Sequence, residues 1–286
     1  MNLKSFLRYK FKKRKKFFYI PNEKSENLLI TELSECSVFA LDTEFDWRTT
    51  YFPKISTIQI SVNDKLFLID CLQINPTYLL KTYLENENIL KIFHSVRSDT
   101  TVLSKCLSIN TKNVFDIQQA DKLLNQNEVN AYGKIVKKFF GIDLDKSETN
   151  SNWLKRPLSS NQIKYAFDDV DFLLEIYNYQ KKQLKKSNLL KKTLFLSEKE
   201  SSLGNEPLKK LRLIKISNKL SSRKKKIFIW REEIAEKKNI PPSYIFKDKS
   251  LRKLSEIKSN ESSLRKKIMA IIGDSELTDK FILDFL

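Results

Sequence analysis

The stretch that most constrains this chain is Val38-Phe39-Ala40-Leu41-Asp42-Thr43-Glu44-Phe45, an apolar run that ends in two carboxylates separated by one residue. Such a run reads as a buried strand of a mixed sheet. Side chains on a strand alternate faces, so Asp42 and Glu44 point the same way. Two carboxylates on one face at the end of an apolar strand repel each other, and burying them bare is costly unless a cation lies between them. Hard oxygen ligands of this kind suit Mg²⁺ or Mn²⁺. For an isolated Asp-x-Glu the competing reading is a strand end with two solvated acids, and the rest of the chain must decide.

Composition removes several alternatives. There are only 4 glycines among 286 residues, too few for a glycine-rich phosphate loop. The single histidine, His94, excludes an HExxH zinc site and most zinc hydrolase centres. A Ser-His-Asp triad would need His94, and no Gly-x-Ser-x-Gly elbow accompanies it. Cys36, Cys71 and Cys106 are widely spaced and odd in number, which offers no disulfide framework and fits a reducing, cytoplasmic setting. No apolar run reaches the ~18 residues of a membrane span, so no membrane partner is expected. Hydrolysis by such a chain falls to carboxylates, tyrosine and a cation.

Charge is distributed unevenly. Residues 1–17 carry eight Lys/Arg and no acid; residues 18–180 carry 17 Lys/Arg against 22 Asp/Glu; residues 181–286 carry 28 against 13. The net +18 therefore sits in two basic flanks around an acidic middle. That pattern fits a protein that holds a polyanion beside a cation site.

Taken in order, residues 1–16 read as a basic arm. Phe17–Ile20 can open a first strand, and residues 25–36 have helical spacing. The Asp42 strand, residues 55–62 and residues 65–69 then form an antiparallel meander, with Asn63-Asp64 as a turn. A helix over 76–84 and a strand over 89–93 follow. Asp99 heads the next helix, with its N-cap as the competing role. A brief strand at Val114-Phe115 leads to helices over 116–124 and 129–140, the second ended by Gly141. After a loop over 142–158, Ser159 or Ser160 caps one long helix running to about Gln183. Residues 186–207, polar and Lys/Ser-rich, read as a linker, and 208–286 as an all-helical domain.

The helix after Ser160 carries Tyr165 and Asp169 at i and i+4, on one face. Asp168 and Asp171 turn away and are expected to be solvated. Asp42, Glu44, Asp99 and Asp169 with Tyr165 make a sensible site for two divalent ions about 4 Å apart, the arrangement that serves in-line phosphoryl displacement. Tyrosine can orient a water and take up its proton; with an ordinary pKa of about 10 it needs the cations to acidify that water.

Three segments carry a resemblance: VFALDTEF, FHSVRSDTTVL and YAFDDVDFLLEIY. In order and spacing they resemble the three exonuclease motifs of the DEDD superfamily, tyrosine subgroup. LDKSETNSNWLKRPLS (144–159) and WRTTYFPKISTIQIS (47–61) resemble ribonuclease D. Residues 208–286, with Trp230-Arg231, Ala235, Ile240-Pro241, Leu251 and Leu254, resemble the helical HRDC module. The resemblance implies an α/β, ribonuclease H-like mixed sheet of three antiparallel and then two parallel strands, flanked by helices, in a 3′–5′ exonuclease domain over 17–185. It implies that Asp42, Glu44 and Asp169 hold one metal, that Asp42 and Asp99 hold a second, and that Tyr165 positions the water. Thr43, Phe45, Gln59, His94, Lys146 and Arg156 are candidate substrate contacts. The implied activity is removal of nucleotides from RNA with a single-stranded 3′ end, typically tRNA precursors, with release of 5′-mononucleotides by a monomer. A DNA 3′–5′ exonuclease and a non-catalytic nucleic-acid-binding module are the alternatives. The chain has room for one HRDC module where bacterial ribonuclease D often carries two.

Overall fold

A computed structural model describes residues 15–126, 128–216, 220–259 and 263–286. The basic arm falls almost wholly outside the described residues. Only Lys15 and Lys16 are seen, and both belong to the fold.

Apolar strands and amphipathic helices build one mixed sheet with helices on both faces. The strands are β1 (Lys16–Ile20), β2 (Val38–Asp46), β3 (Lys54–Val62), β4 (Lys65–Asp70), β5 (Leu90–Phe93) and β6 (Val114–Asp116), in the order β1-β4-β3-β2-β5-β6. β2, β3 and β4 form the expected antiparallel meander, and β5 and β6 add to β2 in parallel. β1 adds a parallel edge strand beside β4.

Period-two alternation divides the sheet cleanly. Phe39 and Leu41 of β2, Ile58, Ile60 and Val62 of β3, and Phe67 and Ile69 of β4 share one core. That core is closed by α1 (Asn27–Glu35), α2 (Thr77–Leu84) and α3 (Arg97–Leu107). Ala40, Leu66, Leu68, Ile92 and Phe115 line the other core, under α4 (Ile117–Leu124), α5 (Tyr132–Phe140), α6 (Ser160–Asp171) and α7 (Leu173–Lys186). Asp42 and Glu44 continue the Ala40 series, so they face α6.

The long helix expected over 160–183 is two. It breaks at Phe172, a buried residue at φ −100° and ψ −8°, whose amide turns back to Val170. Lys15 stabilises the break: its buried ammonium pairs with the Asp171 carboxylate at 3.1 Å, meets the Asp171 carbonyl and donates to Ser61 at 3.0 Å. Asp171 is thus ion-paired rather than solvated, and Asp168 is paired with Lys164.

The connector expected over 186–207 differs as well. Residues Leu190–Gly204 form α8, which packs on α3 and β6. Its buried face is Thr193, Ser197, Ser201 and Gly204, so its sequence reads as polar. A Cβ at Gly204 would lie 2.1 Å from Thr100 Oγ1, so only glycine permits this approach. The chain divides into two compact units. One holds the described residues through Asp46 together with Lys54–Asn205; the other holds Trp47–Pro53 and Glu206–Leu286.

The second unit is helical: α9 (Leu208–Ile216), α10 (Ser222–Lys238), α11 (Pro242–Ile245), α12 (Ser250–Glu256), α13 (Leu264–Ile272) and α14 (Ser275–Phe285). Its core includes Tyr51, fully buried among Leu208, Ile227, Phe228 and Leu254. Arg212 stacks on the Tyr51 ring at 4.4 Å and pairs with Glu232 at 2.8 Å. The amides of Tyr51 and Phe52 both donate to Asn239 Oδ1, at the left-handed end of α10. Residues 47–53, expected within the sheet domain, therefore belong to the core of the helical unit. Among the described residues no helix is long and apolar enough to cross a membrane.

Candidate active site

β2 outruns its parallel neighbour. Pairing with β5 ends at Ala40, so Asp42–Asp46 project beyond the end of β5 while pairing with β3 on the other side. Ligands in open α/β sheets bind at such carboxyl ends. A register shift between Glu44 and Phe45 bends β2 just past the second acid.

α6 delivers the third acid. Ser159 and Gln162 form a reciprocal capping box that fixes its start. Tyr132 on α5 donates to the Asp168 carbonyl at 3.2 Å, beside Asp169. Carboxylate oxygens of Asp42, Glu44 and Asp169 lie within 4.8 Å of one another.

Asp99 arrives from the opposite face. It is not the helix cap: α3 begins at Arg97 after Val96, which places Asp99 inside the first turn. The turn before α3 is held by Asp116, whose carboxylate accepts from the amides of Ser95 and Val96 at 2.9 and 3.2 Å. Thr43, on the other side of β2 from Asp42 and Glu44, grips Asp99: its amide and hydroxyl donate to Asp99 Oδ1 at 3.1 and 2.7 Å. Thr43 is thus a holder of Asp99, buried and committed, rather than a free substrate contact.

Among the described residues no Lys or Arg forms an ion pair with any of the four acids. Their affinity for protons rises accordingly. Burial, then the charges of Asp99, Asp169 and Glu44, push Asp42 well up. Burial, then Asp169 and Asp99, raise Glu44 to about 9. Burial raises Asp99 to about 7 against the hydrogen bonds from Thr43. Burial and the Asp168 charge raise Asp169 to about 7 against the hydrogen bond from Tyr165. A group of unneutralised carboxylates with hard oxygen donors this close together fits divalent cations.

The sign of this effect is testable. Carboxyls that titrate near 7 to 9 in the folded chain and near 4 when unfolded make the folded state bind more protons between those limits. The cation-free protein therefore loses stability as pH rises from about 5 to about 9. Melting in EDTA across that range is expected to show a falling midpoint, a smaller fall for Asp42→Asn, and recovery with Mg²⁺ or Mn²⁺. Equal pH profiles for wild type and Asp42→Asn would sink this account.

Tyr165 is half-buried, with its ring centroid 6.0 Å from that of Trp153 and its hydroxyl 3.2 Å from Thr149 Oγ1. Burial and the nearby acids hold its phenol above the ordinary range. Thr149 and Trp153 lie in the loop resembling ribonuclease D, but nothing in the residue pattern joined them to Tyr165.

The other candidates fall elsewhere. Gln59 is directly across from Asp42 in the β2–β3 register but fully buried, donating to Thr57 Oγ1 at 2.7 Å, so it forms the floor of the site. Arg156 is not free for phosphate: its guanidinium takes both oxygens of Asp70 at 2.6 and 2.7 Å and donates to the Trp153 carbonyl at 2.8 Å. His94 meets the Asn130 carbonyl at 3.2 Å and packs at a tilt against Tyr132, and burial lowers its pKa, so it is a packed histidine. Lys146 is exposed and Phe45 half-buried.

This sheet order, with two acids on β2, one in the first turn of α3 and one on the roofing helix α6, defines the ribonuclease H-like class of fold. The chain belongs to the 3′–5′ exonuclease family, whose model matches residues 17–185. The HRDC domain model matches residues 222–266. Ribonuclease D of Bartonella henselae is 32% identical over 237 residues, 78% of this chain and 57% of that protein. Ribonuclease D of Haemophilus influenzae is 31% identical over 230 residues, 77% of this chain and 57% of that protein. The chain thus spans somewhat over half the length of these curated relatives. The crystal structure of Escherichia coli RNase D, an exoribonuclease involved in structured RNA processing, is similar with a TM-score of 0.79 at 24% identity, covering 94% of this chain and 74% of that one.

Proposed function

We propose that the protein is a 3′–5′ exoribonuclease that hydrolyses the terminal phosphodiester of RNA with a single-stranded 3′ end, tRNA precursors included, and releases 5′-mononucleotides. The observation that carries this reading is the convergence of the Asp42, Glu44 and Asp169 carboxylates within 4.8 Å, with Asp99 and Tyr165 beside them. Asp42, Glu44, Asp99 and Asp169 would hold two divalent cations, Mg²⁺ or Mn²⁺, which would supply charge stabilisation to the displacement and acidify a water. Thr43 fixes the Asp99 carboxylate through two hydrogen bonds to its Oδ1. Tyr165 orients the water through its hydroxyl. The basic flanks give the RNA backbone its electrostatic hold. The Escherichia coli relative acts in structured RNA processing, which supports RNA over DNA.

Incubation of the purified chain with 5′-labelled RNA and DNA oligonucleotides of one sequence tests the reading. In Mg²⁺ or Mn²⁺ the RNA is expected to shorten one nucleotide at a time from its 3′ end, faster than the DNA, with nucleoside 5′-monophosphates released. EDTA is expected to stop it. Internal cuts, metal-independent shortening or faster loss of the DNA would overturn the assignment.

A further inference from the structure

We propose that the corner where α7 passes into α8 is a second RNA site, which holds the backbone upstream of the 3′ end while that end lies among the acids. The inference rests on the hydrolytic reading above and extends it. Residues 176–197 carry six lysines and no acid. Lys182, Lys185 and Lys186 share the outer face of the last turns of α7, and Lys191 and Lys192 open α8. All five are exposed, and among the described residues none of their ammonium groups has an ion-pair partner. The contrast with α5 is direct: there Lys134 pairs with Glu128, Lys137 with Asp143 at 2.7 Å and Lys138 with Asp121 at 3.6 Å.

The fold puts this corner at the same end of the sheet as the acids. Ser197 Oγ accepts from the Asp116 amide at the carboxyl end of β6, at 2.9 Å. Ser201 donates to the Thr111 carbonyl before that strand begins, at 3.4 Å. α8 therefore runs antiparallel to β6, and its first residues, Lys191 and Lys192, lie toward the carboxyl ends of the strands. β6 is parallel to β5, and β5 to β2, so that is the end where Asp42 and Glu44 project. Two strand spacings, about 10 Å, separate β6 from β2.

The acid site needs such a surface. Its carboxylates repel one another and, among the described residues, have no paired base, so without cations they repel a phosphodiester as well. Affinity for a longer polyanion has to come from positive side chains placed along its path. Phe195 adds a second kind of contact. It is 67% exposed and follows Lys191 and Lys192 by four and three residues, so the three share one face of α8, opposite the buried Thr193 and Ser197. A bare ring among lysines is the pairing that binds single strands, with ammonium groups on phosphates and the ring against a base. Of the two acids on α8, Glu200 is paired with Arg97 and Glu198 is partly buried.

Three double variants are made in the full chain, each removing two charges: Lys185→Gln with Lys186→Gln, Lys191→Gln with Lys192→Gln and, as control, Lys134→Gln with Lys137→Gln. Affinity is measured in EDTA across a salt series for a long single-stranded RNA and for a short one with the same 3′ end. Single-turnover rates are measured in Mg²⁺ at saturating enzyme. Each corner pair is expected to weaken binding of the long RNA about tenfold at low salt. The slope of log affinity against log salt is expected to fall by about 1.4, two contacts at ~0.7 each. Affinity for the short RNA, the saturated rate and the melting temperature are expected to stay at wild type, and the control to match wild type throughout. Phe195→Ala is expected to weaken binding of the long RNA about tenfold with the slope unchanged, because stacking releases no counterion. Equal losses in the control, or equal losses on the short RNA, overturn the proposal. Full RNA affinity in the corner pairs with lost binding to phosphatidylglycerol vesicles assigns the corner to a lipid surface and overturns it too. Unchanged affinity and slope in both corner pairs, beside normal shortening, overturn the corner alone. Corner-dependent binding by a wild-type chain that shortens neither RNA overturns the hydrolytic reading alone.

Discussion

Asp169→Asn is expected to lose nucleotide release by about 10³-fold or more, since several kcal/mol of charge stabilisation go with it and each 1.4 kcal/mol is tenfold. Asp42→Asn is expected to match it. The amide is nearly the size of the carboxylate, so the loss is one of charge and not of shape. Asp42, Glu44 and Asp169 already repel one another without a neutralising base, so removing one charge is expected to hold or raise the cation-free melting temperature. Asp168→Asn is the internal control. Asp168 pairs with Lys164 on the solvent side of α6, and its variant is expected to cleave at the wild-type rate. Comparing single-turnover rates and melting curves for the three proteins decides the matter. An active Asp169→Asn beside a dead Asp168→Asn would mean that the wrong face of α6 has been assigned.

Tyr165→Phe is expected to slow the single-turnover step by about 10²-fold, the lower end of what acid–base groups contribute, because the cations share the work. The ring and its contact with Trp153 survive the change; only the hydroxyl is lost. The loss is therefore expected in the rate at saturating enzyme and not in RNA or metal affinity. If Tyr165 only packs, the variant is silent. Rates across a pH series separate the two, because a hydroxyl that orients the attacking water acts in the chemical step alone.

How much of this was legible in the chain depended on whether a pattern had a period. The β2 run and its two acids were legible because strand alternation puts Asp42 and Glu44 on one face whatever lies around them. Tyr165 and Asp169 were legible because four residues make about one helical turn. α8 was not, because its buried face is Thr193, Ser197, Ser201 and Gly204, and close helix packing selects small residues over apolar ones. The same sequence reads as a polar connector. Residues 47–53 misled for a different reason: Tyr51 is apolar enough for any core, and nothing local says that it belongs with Leu208 and Ile227 rather than with the sheet beside it.

Candidate substrate contacts fared least well for a physical reason. Arginine, glutamine and histidine serve phosphate binding and internal hydrogen bonding equally, and partners distant in sequence decide which. Asp70 claims Arg156, Thr57 claims Gln59, and Asn130 claims His94. Thr43 looked like a lining residue, and its position on the far side of β2 made it the clamp on Asp99.

By itself the sequence determined the identity of the acids, their grouping on one strand face and one helix face, and the mixed sheet that carries them. Those follow from local geometry, which repeats every two or 3.6 residues. The tertiary structure alone decided how the faces meet. β2 outruns β5, so its acids stand beyond the end of that neighbour while still paired with β3. Asp116 holds the turn that aims α3, and the break at Phe172 with Lys15 ends α6 just beyond Asp169. Contacts between residues dozens of positions apart carry no period, so only the folded chain contains them.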